Sequence, residues 1–396
     1  MDFSLNEEQL AWQMKARKFA EEEIRPISLQ RDSIAEPQAT FDWEIIRKGS
    51  RLGFRTAAVP RDRGGYGIDF VTQALVMAEL ARGDSAISKA FSQCWKFSHR
   101  IAASCTDDQK ERFLKPFLAD DTYLIGGAST EPNAGSDNRM PPEDEPRAGY
   151  TLKAERHGNE WILNGEKCFI ANGGVAKLFF VSTRTNPNVS LSQGATLFLI
   201  PLGTPGFRVG KVFNKLGWRF YQNAELIFEN CRVPHANVIG EVNGGSRART
   251  AGVGADFSDF ELAANAVGVC EAACNSAVSY ANTKTQGGKA LIEHQIVQLN
   301  LSEMHMLTEA LRSFVMRVAW EMDRRLRNSM NAVFVMNFSS DVIQRVTRLN
   351  IQIHSYGNGE FVMDAHADKL VRDAVIWTHL AGDSVQRMKV VKRFMR

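Results

Sequence analysis

The stretch YLIGGASTEPNAGSDN, Tyr123 to Asn138, is where the chain changes its pattern. Before it, from Met1 to about Asp120, apolar residues recur at three- and four-residue spacing in LNEEQLAWQMKARKFAEEEI, FVTQALVMAELARGD and DQKERFLKPFLAD, the period of helices with one buried face. The loop VPRDRGGYGIDF, rich in Gly and charge, separates two of these segments. From about Thr122 to Val233 short alternating runs take over, EWILNGEKCFI, KLFFVSTRT, ATLFLIPL and AELIFENCRV among them, broken by Gly, Asn and Pro. They predict an antiparallel β-sheet domain. From about Gly244 helical periodicity returns in ELAANAVGVCEAACNSAVSYANTK, IVQLNLSEMHMLTEALRSFVMRVAWEMDRRL and DVIQRVTRLNIQIHS, enough for a four-helix bundle. The expected class is α+β, with a helical domain at 1–120, a β domain at 121–235 and a helical bundle at 236–396.

Bulk properties agree with several packed units. The 396 residues exceed the roughly 250–300 at which single cores stop growing. A net charge of +3, with 44% hydrophobic and 23% charged residues, implies no polyanionic partner. The acidic, amphipathic N-terminus reads as neither signal peptide nor membrane span, and no run elsewhere approaches about 18 apolar residues. The basic MKVVKRFMR at the C-terminus reads as a solvated helix end rather than a nucleic-acid site. Six scattered cysteines without a CxxC pair argue against disulfides and against zinc, so no metal is expected and a reducing cytoplasm is. MPPEDEPRAG, Met140 to Gly149, reads as a surface loop.

In ASTEPNAGSDN the tight turn at Gly135 and Ser136 can offer backbone N–H groups and a hydroxyl to a polar or anionic ligand. Turn chemistry alone suits a plain connecting loop equally well. The whole string, however, resembles the TEP-x-AGSD signature of the acyl-CoA dehydrogenase family without a gap. Further matches follow in order: NGEKCFIANGG resembles the family's NG-x-K-x-W-I-T-NG strand pair, and KLGWRFYQNAELIFENCRVPHANVIGE its KMG segment. SYANTKTQGGKALIEHQ resembles its Y-x-x-x-R-x-x-FG helix, and LNIQIHSYGNGE with KLVRDA its glycine-rich and RDA elements.

The resemblance implies a helical domain, a barrel-like β-sheet domain and a four-helix bundle, with FAD between the last two and a homodimer or homotetramer as the assembly. Carried over, it places Ser129, Thr130, Gly135 and Ser136 beside the flavin ring and the substrate. Phe169 replaces a tryptophan packed on the ring, and an aromatic there can still stack. Ala171 replaces a threonine that contacts the ring. Lys284 replaces an arginine that meets the pyrophosphate of the adjacent subunit's FAD, keeping the charge without the fork. Gly287 replaces the aromatic of the FG pair, while Gln295, Gln352 and Gly357 match positions near the cofactor.

The family's reaction needs a carboxylate to remove the α-proton of an acyl thioester. Alignment on Arg372-Asp373-Ala374 and Gly382 puts Ala381 in the usual glutamate slot, or Leu380 after a one-residue slip. The alternative slot on the first bundle helix holds Ser258, and Asp259 replaces an arginine near the thioester, so both are expected at the substrate's polar end. His379, Asp383, Asp259 and Glu261 are the nearby candidates for a relocated base. A histidine titrates in a useful range, and Asp383 follows a glycine in the turn. Three readings stand: oxidation of a CoA or carrier-protein thioester with a non-standard base, a flavin-dependent monooxygenase or oxidase on the same fold, and a non-catalytic partner subunit of a homologous enzyme. The electron acceptor is an electron-transfer flavoprotein or oxygen.

Overall fold

The computed structural model describes residues 4–139, 145–245, 254–326, 329–356, 366–380 and 384–395. Helix α1 (Glu7–Phe19) begins at a capping box between Asn6 and Gln9 and runs through a π-turn into α2 (Arg25–Ser33). After α3 (Trp43–Arg51), Asp69 caps α4 (Phe70–Ser104). Helix α4 breaks at Asp84, whose φ of −163° and ψ of 118° are extended. The Asp84 carboxylate accepts the Ala86 N–H at 2.8 Å, recapping the second half, and takes the Ser28 hydroxyl at 2.6 Å. The break is therefore a joint fixed to α2.

Strands β1 (Leu124–Ala128), β2 (Lys153–His157), β3 (Glu160–Ala171), β4 (Ala176–Arg184), β5 (Ala195–Pro201), β6 (Phe207–Val212), β7 (Asn223–Pro234) and β8 (Val238–Ile239) form one sheet in the order β6-β7-β3-β1-β4-β5-β8. The remaining strand, β2, pairs with both β3 and β4. The sheet is mixed rather than wholly antiparallel, because β1 runs parallel to β4 and β2 meets β4 in parallel at Lys153. A hairpin would have forced the opposite direction. β1 instead arrives from the helical region and slots between β3 and β4, so no turn fixes its sense. β4 is buried on both faces: Phe180 stacks on Phe97 of α4 at 4.5 Å, while Phe179 meets Phe207 edge-on at 5.3 Å. Gly126 and Gly127 make room for this packing, since a Cβ on Gly127 would lie 2.3 Å from Phe97.

The last third holds α5 (Gly254–Thr283), α6 (Gln295–Asp323), α7 (Ser329–Ser355), α8 (His366–Leu380) and α9 (Ser384–Phe394). Helix α5 is central, packing on α4, α6, α7 and α8. It approaches α4 so closely at Gly268 that a Cβ would fall 2.1 Å from the Ala78 carbonyl oxygen. Between α5 and α6, strands β9 (Thr285–Gln286) and β10 (Lys289–Ala290) flank Gly287 and Gly288, both at positive φ. This two-residue turn accounts for the glycine at 287.

RDA proves to be a structural clamp. Arg372 bonds Asp32 at 2.6 Å and the Leu216 carbonyl at 3.1 Å. Asp373 accepts the Trp218 N–H at 2.7 Å and Lys369 at 2.6 Å, while Lys369 also lies 3.1 Å from Asp84. One buried network thus joins α8 to the α4 joint and to the loop before β7. All six cysteines are buried and unbridged. Among the described residues no helix is long and apolar enough to cross a membrane, and no side-chain group could hold a metal ion.

Candidate active site

The turn after β1 is built from the inside. Glu131, 6% exposed, bonds the Lys167 ammonium at 2.7 Å, the Thr151 N–H at 2.6 Å and hydroxyl at 2.9 Å, and the Leu152 N–H at 2.7 Å. Burial pushes its carboxyl up, but Lys167 and the two N–H donors outweigh that and hold it below the usual carboxylate range. Asp137 accepts the Gly135 N–H at 2.7 Å and the Gly149 N–H at 3.0 Å. This corrects one expectation: the Gly135 amide serves Asp137 and is not offered to a ligand. A Cβ at Gly135 would nonetheless meet nothing within 4 Å. Protein packing gives no reason for a glycine there, whereas close approach by a bound group does. Ser136 opens the short 3-10 turn Ser136–Arg139, against which α9 packs.

Beside this turn, β3 ends in an aromatic platform. Phe169 has φ 54° and is 53% exposed, unusual for a large apolar residue in the left-handed region. It stacks on Phe213 with centroids 4.2 Å apart, and its carbonyl accepts the Asn223 amide at 2.7 Å. Asn223 Oδ1 in turn takes Lys215 Nζ at 2.6 Å. Burial pulls the Lys215 ammonium down to about 7. Ser129 contacts Ser182 at 3.2 Å through its hydroxyl, the Thr130 carbonyl takes the Cys168 N–H at 2.9 Å, and Ala171 is half-buried opposite Gly127. The structure therefore brings Ser129, Thr130, Phe169 and Ala171 together at the ends of β1 and β3. An exposed, braced aromatic face next to hydroxyls and an unfilled glycine suits a planar ring system such as a flavin.

The third wall is helical. Asn172, fully buried at φ 55°, donates to the Ala90 carbonyl of α4 at 3.4 Å and to that of Ile125 at 3.2 Å. Ser258 and Asp259 lie half-buried in the first turns of α5. One turn later Glu261 pairs with Lys89 and accepts the Ser92 hydroxyl at 2.7 Å. Trp377 of α8 donates to the Leu262 carbonyl at 3.1 Å, so the end of α8 meets α5 beside Glu261. His379 is exposed on that last turn, while Ala381 and Asp383 lie outside the described residues. So does Gly357.

A second set sits at the far end of α5. Lys284 lies over Tyr280 at 5.6 Å, Tyr280 stacks on His354 at 4.2 Å, and Gln352 donates to the Tyr356 hydroxyl at 2.6 Å. Gln295 is exposed at the start of α6. Reasoning from sequence missed Glu131, Lys167, Phe213 and Asn223, which brace the site. The acidic and basic members of TEP and NGEK were the signal that could have paired the first two.

Three family models match in chain order: acyl-CoA dehydrogenase N-terminal domain at residues 6–121, middle domain at 126–231 and C-terminal domain at 255–395. The chain belongs to the acyl-CoA dehydrogenase family. It is an oxidoreductase and its cofactor is FAD. Acryloyl-CoA reductase (NADH) of Anaerotignum propionicum is 31% identical, with 99% of this chain and 95% of that protein covered. Butyryl-CoA dehydrogenase of Megasphaera elsdenii superposes with a TM-score of 0.90 at 31% identity over the whole of both chains. The prolyl acyl carrier protein oxidase AnaB gives 0.85 at 25% identity, covering 99% of this chain and 100% of that one. The exposed aromatic face of Phe169 beside Ser129, Thr130 and Ala171 has the chemistry that a flavin ring of this family's FAD would need.

Proposed function

We propose that the protein oxidises the Cα–Cβ bond of an acyl thioester carried on CoA or a carrier protein, with Asp383 as the base and His379 as the second choice for that role. The observation that supports this reading is the braced, exposed aromatic platform at Phe169, taken with the motif match that puts Ala381 and Ser258 at the family's two acid positions. The base takes the α-hydrogen as a proton, and the β-hydrogen departs with its electron pair. FAD, when bound, accepts that hydride and passes the electrons on. Glu261 is a poor base here because its described bonds already tie it to Lys89 and Ser92.

Ser258 and Asp259 would meet the polar end of the thioester, where a carboxylate cannot repeat an arginine's contacts. A carrier-tethered acyl group is supported by the likeness to a prolyl acyl carrier protein oxidase, and the acceptor is either oxygen or an electron-transfer flavoprotein. The family members named as acting on CoA esters support a CoA substrate equally. Ser258 and Lys284 stand about 39 Å apart along α5 at the usual helical rise. That exceeds the span of one bound dinucleotide, so Lys284, Gln295 and Gln352 would serve a partner copy's FAD in a homodimer or homotetramer. A cytoplasmic site of action and the division at about residues 120 and 235 belong to the same reading.

Asp383→Asn tests the base. With FAD content unchanged, turnover should fall at least about a hundredfold, the usual worth of a general base. An unchanged rate would remove Asp383 from the role, and the same measurement on His379→Gln would then decide for or against His379.

A further inference from the structure

Strand β7 runs between two bulges. On β3, Lys167 pairs with Leu226 and Ile170 with Ala224; on β6, Val209 and Val212 pair with the same two residues of β7. Each neighbouring strand therefore carries one extra residue at the same level of β7. On β3 the bulge holds Phe169 at φ 54°, a left-handed position that bulges ordinarily give to glycine. A phenyl ring there is doubly unfavourable, because its backbone is strained and the ring is 53% exposed even after stacking on Phe213.

One residue holds both rings of that stack. Asn223 accepts the Phe213 N–H through its backbone carbonyl at 2.9 Å and donates its side-chain amide to the Phe169 carbonyl at 2.7 Å. Its side-chain oxygen takes Lys215 Nζ at 2.6 Å, and Lys215 also donates to the Tyr221 carbonyl at 2.5 Å. An ammonium can only donate, so Lys215 keeps the amide oxygen on its own side and turns the –NH2 toward Phe169. The strained backbone of Phe169 thus has a dedicated donor, and that donor is oriented by a second residue behind it. A backbone outlier braced in this way points to a use for the ring it presents.

We infer that Asn223, oriented by Lys215, is a positioning residue that holds the Phe169 ring in the attitude on which a flavin ring stacks. It acts through Phe169 and touches no reacting atom. The inference rests on the reading of Phe169 as the flavin platform and is independent of the thioester chemistry. Its test is the FAD dissociation constant of the purified full chain, measured by equilibrium dialysis, with the visible spectrum of the bound flavin as a second readout.

Asn223→Asp keeps an oxygen for Lys215 and the backbone bond to Phe213, but offers the Phe169 carbonyl no donor. It should raise the FAD dissociation constant about tenfold and shift the flavin's visible bands, with the far-UV circular dichroism unchanged. In a Phe169→Leu background, which presents no ring, the same substitution should change the constant by less than about twofold. Should the aspartate variant fail to fold, Asn223→Ala carries the same expectations. Wild-type FAD affinity after the substitution, or an equal loss in both backgrounds, overturns the inference. Phe169→Leu with unaltered FAD affinity overturns it too, and takes the flavin off the Phe169 platform. A protein that shows the predicted pattern of FAD affinities but oxidises no thioester supports the inference while sinking the oxidation reading.

Discussion

At the scale of single residues, the signature strings divide their work between ligand and scaffold. Glu131 and Lys167 face inward and Phe169 faces out. Glu131→Gln leaves the Lys167 ammonium buried with a neutral partner, and breaking such a pair typically costs about 3–5 kcal/mol. Denaturant unfolding near neutral pH should show a loss of that order; a change within the noise of the measurement would mean the pair is not the pin described. The pH dependence has a definite sign. Because the folded-state pKa of Glu131 is depressed, its contribution is present above the ordinary carboxylate range and is lost as pH falls through the folded value. Wild type should therefore lose more stability on acidification than Glu131→Gln. Family resemblance singled out Phe169 for stacking on a flavin ring, and the structure stacks it on Phe213. The sequence could not reveal that Asp137 claims the Gly135 N–H, because that depends on the turn closing back on its own side chain.

Among the elements, α4 and α5 carry most of the tertiary consequence. Periodicity predicted both helices, and the sheet's alternation predicted its strands. The joint at Asp84 and the parallel entry of β1 were invisible in pattern, since each is set by contacts with distant segments: Ser28 and Lys369 for the joint, β3 and β4 for the strand. The α4–α5 contact also holds a titrating group. His99 packs against Phe70 at 5.2 Å and Phe257 at 5.0 Å, and burial pulls its pKa down to about 4. The unfolded chain binds a proton there near 6.5, so the folded state should lose stability as pH falls from about 6.5 to 4. Asp323, pushed up to about 6 by burial, acts in the opposite sense. The test is consequently a difference: Tm of wild type should fall more steeply over that interval than Tm of His99→Gln. Parallel slopes would show that His99 is not the acid-sensitive group.

For the whole molecule, the order of helical domain, sheet and helical bundle was readable from the sequence, and the family models match it end to end. The group that performs proton transfer was not, because the motif match that puts Ala381 and Ser258 at the family's acid positions names no base in their place. The central claim is that the flavin cleft is kept and still oxidises a thioester. It is tested most directly by anaerobic titration of the purified, FAD-loaded protein with acyl-CoA and carrier-bound acyl groups while its visible absorption is followed. The account predicts that the flavin bleaches without any added reductant. Saturable thioester binding with no bleaching, or oxygen consumption that appears only after chemical reduction of the flavin, would contradict it.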